Sequence, residues 1–287
     1  MLNAFDHGAR GGGPRPRRPA RSLRQEFEEF LFQRIEEYKN GLSRAELLEI
    51  GDEAVRELEI AAADQYLLTE VLLLEHVDRI IARRLRLPGF QRWARRHRAL
   101  RTAQRAATHW ELESAGPLVA CARRLEAGDA AVVIGAAALP AALFIAAHDV
   151  EVLLLDQDLS AVEAAEGRAV AEQLAARFHA LVVQFGNWMP DVTVTIAVLH
   201  PAALAALEPD VREALVRDLQ RRTPEGGMHV VLPWNGDEPK HVIPIGTDTL
   251  LGLYGDWQIN RRPRGRRGGF SASKSPRQSD TQVNVSE

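Results

Sequence analysis

Cysteine is nearly absent from this sequence, and no apolar run is long enough to predict a membrane helix. Cys121 is the only cysteine among 287 residues, so no disulfide can form within the chain and a zinc site built from several thiolates is excluded. The run that comes closest, residues 130–147, contains Gly135 and Pro140 and lacks the roughly 20 uninterrupted apolar residues that cross a bilayer. The basic first residues precede no apolar segment, unlike a secretory signal. These absences predict a soluble, cytoplasmic protein with no membrane partner.

Acidic residues are missing from one segment of a chain whose formal net charge is only −3. Between Arg79 and Arg105 the sequence has ten arginines and neither Asp nor Glu, with Phe90 and Trp93 interleaved. Basic residues with aromatic neighbours are one pattern of binding to nucleic acid or another polyanion. The alternative is a salt-bridged surface, because the preceding helices carry many Glu and Asp residues, and Trp93 is also typical of a core anchor. Both interpretations remain open.

Composition divides the chain into four predicted segments. Hydrophobic residues make up 46% and charged residues 26%, which is an ordinary balance for a protein with a sizeable core. Residues 1–21 are rich in Gly, Pro and Arg and predict a disordered basic tail, and residues 275–287 predict a disordered polar tail. Residues 22–116 predict an all-helical region. Residues 117–274 predict a separate α/β domain.

Helix signals dominate the region before residue 117. Apolar residues recur there at three- and four-residue steps, which indicates helices with one buried face. Ser43 and Glu46 have the spacing of a capping box at the start of a helix. A longer helix is predicted to include Tyr66, Leu67 and Leu85. The Pro-Gly pair at 88–89 ends it.

Strand and helix patterns alternate from residue 117 onward. The predicted strands are continuous apolar runs, as expected for a sheet covered on both faces, and they lie near 130–134, 151–155, 180–184, 193–199 and 228–232. Helices are predicted near 117–126, 139–147, 160–178, 202–207, 210–222 and 248–254. After residue 232 the alternation stops, and two strands are predicted around a basic turn, 263–267, at 256–262 and 268–273. The pattern predicts an α/β fold with a doubly wound, mostly parallel, seven-stranded sheet.

A candidate ligand site follows from this fold, because open α/β sheets bind ligands at the carboxyl ends of their strands. The first strand is followed by Gly135, and the second ends in Asp156, 21 residues later. This spacing is close to the roughly 20 residues between a glycine loop and a ribose-binding acid. A carboxylate there can accept charge-assisted hydrogen bonds from neighbouring ribose hydroxyls. A nicotinamide loop is disfavoured, because only the first glycine of G-x-G-x-x-G is present.

The segment from Gly128 to Ser273 resembles the class I S-adenosylmethionine (SAM) methyltransferases, most closely the thiopurine- and tellurite-type small-molecule branch. The resemblance lies in the order and spacing of short motifs, namely the Rossmann-like first loop 132–140, Asp156, 185–188 (FGNW), 199–201 (LHP), 226–227 (GG), 253–259 (LYGDWQI) and 270–274 (FSASK). It implies a SAM-dependent transferase that acts on an unidentified small-molecule acceptor, with SAM as cofactor and no metal. The cofactor-binding residues that it implies are Ile134, Gly135, Ala136, Ala137, Asp156, Gln157, Asn187, Trp188 and Leu199.

His200 follows the fourth strand at the position where the family meets its methyl acceptor. The resemblance therefore makes His200 a candidate catalytic base, since histidine titrates near neutral pH. The alternative is a helix-entry residue without a chemical role. His229, by contrast, falls within a strand and is interpreted as a structural residue.

The first loop departs from the family pattern. Val133 replaces the usual acid, Ala137 and Leu139 replace two glycines, and Asn187 replaces an aspartate. Glycine suits such loops because it tolerates positive φ and lets the backbone approach a ligand, and Leu139 is expected to start the next helix early. This degenerate glycine loop motivates an alternative function: a catalytically inactive binding or scaffold protein with a methyltransferase fold, which uses its arginine-rich helical region.

Overall fold

The computed structural model describes residues 22–61, 70–234, 244–261 and 269–275. The predicted tails (apart from Ser275), Tyr66, Leu67 and the basic turn 263–267 lie outside the described residues. Two compact units are present, one ending at Leu100 and the other beginning at Arg101. No helix in the described parts of the chain has both the length and the apolar character needed to cross a bilayer.

The described residues of the first unit form helices. Its helices are α1 (Leu23–Asn40), α2 (Arg44–Ala61), α3 (Glu70–Arg84) and most of α4 (Phe90–Gln104). The predicted capping box is confirmed, because the Glu46 amide donates to Ser43 Oγ at 3.3 Å and the Ser43 amide donates to Glu46 Oε2 at 2.8 Å. Two apolar clusters hold the helices together, one around Ile35, Ile50, Ala54, Ile80 and Ile81 and the other around Phe27, Trp93 and Ala94.

The second unit begins with the last turn of α4. Gln104 donates through Nε2 to the Glu172 carbonyl at 2.9 Å, and the Trp110 indole donates to the Gln104 carbonyl at 2.6 Å. A short 3-10 helix (Ala107–Trp110) follows, and the predicted domain boundary at residue 117 lies further along the chain.

Helices and strands then alternate. The elements are α5 (Pro117–Ala122), β1 (Ala130–Ile134), α6 (Leu139–Ala146), β2 (Glu151–Asp156), α7 (Leu159–Ala171), β3 (Phe178–Val182), β4 (Ile196–Leu199), α8 (Pro201–Ala205), α9 (Pro209–Arg222), β5 (Met228–Val231), α10 (Thr247–Gly252), β6 (Gln258–Asn260) and β7 (Phe270–Ser273). Two further 3-10 helices precede α6 and β3, at Ala136–Ala138 and Ala175–Arg177.

The strands form one seven-stranded mixed sheet in the order β3-β2-β1-β4-β5-β7-β6. Strands β1 to β5 are parallel, and β7 runs antiparallel to both β5 and β6. The predicted α/β fold with a mostly parallel, seven-stranded sheet is therefore confirmed, and β7 makes the sheet a mixed one. The strand order reverses between β1 and β4, which places the topological switch point at the carboxyl end of β1.

Helices cover both faces of the sheet, as the continuous apolar strands predict. On one face α5, α6 and α7 pack on side chains such as Val133, Leu154 and Val198. On the other face α8, α9 and α10 pack on side chains such as Leu153 and Leu199. Because the side chains of a strand alternate between faces, each central strand contributes to both cores.

Several element ends differ from the prediction. The helix predicted over 160–178 stops at Ala171, because Gln173 adopts a left-handed φ of +58° and the Leu174 amide returns to the Ala169 carbonyl at 2.8 Å. That pattern is a Schellman-type helix end. The strand predicted over 193–199 begins only at Ile196, since the Val194 amide donates to the Arg222 carbonyl instead of joining the sheet.

Candidate functional site

The carboxyl ends of β1, β2 and β4 meet at the switch point. Ile134 lies in register between Leu155 of β2 and Leu199 of β4. Just beyond the strands, the Gly135 amide donates to the Leu155 carbonyl at 2.9 Å and the His200 amide donates to the Ile134 carbonyl at 3.0 Å. The structure thus brings Gly135, Asp156 and His200, which the sequence places far apart, to one edge of the sheet.

Asp156 turns its carboxylate toward the loop that follows β1. Its Oδ2 accepts a hydrogen bond from the Ala136 amide at 2.6 Å, and its Oδ1 accepts one from the Asp158 amide at 2.9 Å. The residue is half-buried. A carboxylate has roughly four acceptor positions, so two backbone donors leave positions for further hydrogen bonds, such as those from hydroxyl groups of a ligand.

Gly135 is a glycine for two local reasons. Its backbone has φ +93°, a region that residues with a Cβ rarely adopt. A Cβ at this position would also lie 2.6 Å from the Ala203 Cβ and 3.3 Å from the His200 Cβ. Helix α8 therefore fills the space on that side of Gly135, and a ligand can approach the loop only from another direction.

The non-glycine residues after Gly135 pack by local structure. Leu139 begins α6, as expected, and packs with Ala136 against the core on the α5–α7 face. Ala137 is exposed. Val133 is 0% exposed. The loop therefore has no charged side chain from β1, and its charge comes from Asp156.

The remaining predicted cofactor residues divide into exposed and buried ones. Gln157, Asn187 and Trp188 are exposed, Trp188 to 57%. They follow β2 and β3, and the Asn187 amide closes a turn onto the Gln184 carbonyl at 3.1 Å. Ile134 and Leu199 are 0% exposed, so in this structure their side chains contribute to the core beneath the site.

His200 is the N-terminal cap of α8. Its Nδ1 accepts a hydrogen bond from the Ala202 amide at 3.3 Å, and the residue is only 5% exposed. Capping of this kind satisfies one of the free amides at a helix start. The geometry accounts for a histidine here by local structure, and its role as a base stays a prediction.

One buried polar network was missed by the sequence analysis. Thr223 Oγ1 donates to the Leu219 carbonyl at 2.7 Å, so His229 Nε2, 2.9 Å away, must donate to that oxygen. His229 Nδ1 therefore accepts from the Tyr254 hydroxyl at 3.0 Å. Burial lowers the pKa of His229 to about 3, aided by the charge of Lys274. This neutral histidine joins β5, α9 and the segment after α10, and its role is structural.

Comparisons with known proteins gave distant structural similarity only. No family model matches the sequence, and no curated protein matches it. Among solved structures, it is similar to the N-methyltransferase NodS from Bradyrhizobium japonicum WM9, with 10% identity and a TM-score of 0.45 over 55% of this chain and 93% of that chain. It is also similar to TehB from Haemophilus influenzae, with 13% identity and a TM-score of 0.43 over 55% of this chain and 61% of that one. A SAM-dependent methyltransferase from Aquifex aeolicus has 15% identity and a TM-score of 0.42 over 54% and 87%, respectively. The fold assignment rests on strand order and register, which do not depend on these similarities.

Proposed function

We propose that this chain is a SAM-dependent methyltransferase acting on a small-molecule acceptor. The observation that carries the proposal is the Asp156 carboxylate, which faces the Gly135 loop at the switch point of the sheet. This is the place where a ribose-binding acid is needed in a doubly wound fold. The order of the motifs from Gly128 to Ser273 supports the same family.

The residues present fit SAM in part. The open acceptor positions of Asp156 suit the two ribose hydroxyls, and the exposed side chains of Gln157, Asn187 and Trp188 suit an adenine ring. Trp188 offers a face for stacking, and Asn187 offers both a donor and an acceptor. The main chain of Ala136 and Ala137 would hold the methionine part of SAM.

SAM supplies an electrophilic methyl group on a sulfonium when it is bound. This chain would contribute alignment of the acceptor with that methyl group and exclusion of water, since positioning alone can provide a large part of such a rate enhancement. No charged constellation is required for this chemistry.

A catalytically inactive binding protein is the second candidate. The packing of Ala203 against Gly135, together with the buried Val133, favours it, because both remove features that bring a cofactor close to the loop. The inactive protein would keep the sheet and its loop as a scaffold. Binding of SAM by the wild-type protein separates the two candidates.

The test is calorimetric titration with SAM and with its demethylated product, combined with thermal unfolding. Asp156→Asn keeps an oxygen that can accept from the Ala136 amide but removes the charge. We expect it to weaken SAM binding by about 10- to 100-fold, since hydrogen bonds to charged groups contribute about 1.5–3 kcal/mol. SAM should raise the unfolding temperature of the wild-type protein.

Asp158→Asn is the matched control. It removes one charge two residues after Asp156. Asparagine retains the acceptor that Asp158 presents to the Ser160 amide at 2.8 Å. We expect SAM affinity within about twofold of the wild type. No heat and no thermal shift in the wild type would reject the enzyme and leave the scaffold. Equal weakening by both variants would reject the assignment of Asp156.

A further inference from the structure

Helix α4 presents an arginine-rich face to solvent. The helix has five arginines and no acidic residue. Trp93 and His97 lie on its buried side, where their rings stack at 4.4 Å between centroids. Arg92, Arg95 and Arg96 lie on the opposite, exposed side, and we call these three residues the arginine surface.

Intramolecular salt bridges neutralise arginines of α3, whereas the part of the chain that the structure describes has none at the arginine surface. Arg83 contacts Glu57 at 2.7 Å and Arg84 pairs with Glu53, so the salt-bridged interpretation is correct for that helix. Within the described ranges, no carboxylate lies within 4.0 Å of the guanidinium groups of the arginine surface. Arginines three and four residues apart on one helix face repel each other. The arginine surface therefore carries positive charge that no carboxylate of the described ranges compensates.

A shallow cavity, largely open to solvent, lies beside two of these arginines. Its volume is about 550 Å³, and its lining consists of Gly89, Phe90, Gln91, Arg92 and Arg95. A guanidinium group binds a phosphate with two parallel hydrogen bonds. The start of α4 adds partial positive charge from its first amides. The chemistry of the cavity wall fits a phosphate group.

We propose that the arginine surface binds the phosphate backbone of a nucleic acid. Arg96 does not line the cavity, so the three guanidinium groups extend along about one helical turn, or roughly 6 Å. Such a spread suits successive phosphates of a strand better than a single phosphate ion. A membrane is a poorer fit, because the apolar side of α4, which a lipid would require, is buried against α1 through Trp93 and Phe27.

The experiment measures binding of the full chain, without SAM, to labelled single-stranded RNA and duplex DNA over a range of salt concentrations. The variant expected to lose binding is the triple variant Arg92→Gln, Arg95→Gln, Arg96→Gln. The slope of log affinity against log salt is expected to become shallower by about 2–3, because each phosphate contact contributes about 0.7 for single strands and 0.9 for duplex DNA. We also expect affinity at low salt to fall by tenfold or more.

The matched control is the triple variant Arg168→Gln, Arg217→Gln, Arg221→Gln. It removes the same charge from exposed arginines that are already paired with Glu172, Glu213 and Asp218. Its salt slope should equal that of the wild type. The single variant Arg95→Gln, with a slope change of about 1, tests the proposal if the triple variant does not fold.

Three outcomes would overturn the proposal. One is an equal slope for the affected and control triple variants. Another is complete displacement of nucleic acid by inorganic phosphate at matched ionic strength, which would indicate a single-phosphate site. The third is binding to vesicles of anionic lipid, sensitive to these arginines, without binding to nucleic acid. Since no SAM is present, none of these results bears on the proposed methyl transfer.

Discussion

Replacing Gly135 by alanine should destabilise the fold in two ways, through backbone strain and through a clash with Ala203. The structure allows the two effects to be measured separately. At φ +93° a residue with a Cβ is strained by about 1–3 kcal/mol. The new Cβ would also lie 2.6 Å from the Ala203 Cβ, and overpacking of this kind costs about 1–3 kcal/mol. Gly135→Ala should therefore lower the free energy of unfolding by roughly 2–6 kcal/mol in total. Gly167→Ala in α7, where nothing lies within 4 Å of the added Cβ, should be neutral or slightly stabilising.

Ala203→Gly supplies the second arm of a double-mutant cycle. It removes the methyl group that the new Cβ would meet, at a helix-propensity cost of about 1 kcal/mol. The double variant should regain the steric part but not the backbone strain, which gives a favourable coupling of about 1–3 kcal/mol.

Urea unfolding measures the free energy of unfolding of all four variants. With a denaturant slope of about 2 kcal/mol per molar, the midpoint for Gly135→Ala should fall by about 1–3 M. Two results would show that α8 does not lie against the loop. One is that the effects of Gly135→Ala and Ala203→Gly on the unfolding free energy add within about 0.5 kcal/mol. The other is that Gly135→Ala destabilises the protein no more than Gly167→Ala does.

Two further predictions concern histidines. His200→Asn keeps a good helix cap, so we expect its unfolding free energy within about 0.5 kcal/mol of the wild type. His200→Ala should lower the unfolding free energy by about 0.5–2 kcal/mol. Full methyl transfer by the asparagine variant would reject His200 as the base. The folded-state pKa of His229, about 3, lies below its ordinary value of 6.5, so only the unfolded chain binds this proton as the pH falls. The contribution of His229 to the free energy of unfolding is therefore fully present above about pH 6.5. Between about pH 6.5 and pH 3 it falls by about 1.4 kcal/mol per pH unit. Urea unfolding near pH 7 and near pH 5 should show a weaker pH dependence for His229→Gln, and an equal dependence would contradict the buried neutral histidine.

Local and periodic features could be predicted from the sequence. The continuous apolar strands, the helices between them and the Ser43 capping box depend on neighbouring residues, and the structure has them. The position of Asp156 beside the Gly135 loop also follows, because parallel strands in register carry their carboxyl ends to one edge. The end of α7 did not follow, since its left-handed residue is Gln173 and not a glycine.

Contacts between segments far apart in the sequence were decided by the tertiary structure alone. The packing of Ala203 on Gly135, the role of His200 as a cap beside that loop, and the links from His229 to Thr223 and Tyr254 depend on where α8, α9 and α10 settle on the sheet. Periodicity determines which face of a helix is apolar, but not which residue of another element meets it. For the same physical reason, only the folded chain distinguishes the arginines of α3 that pair with α2 from those of the arginine surface, which no carboxylate of the described residues contacts.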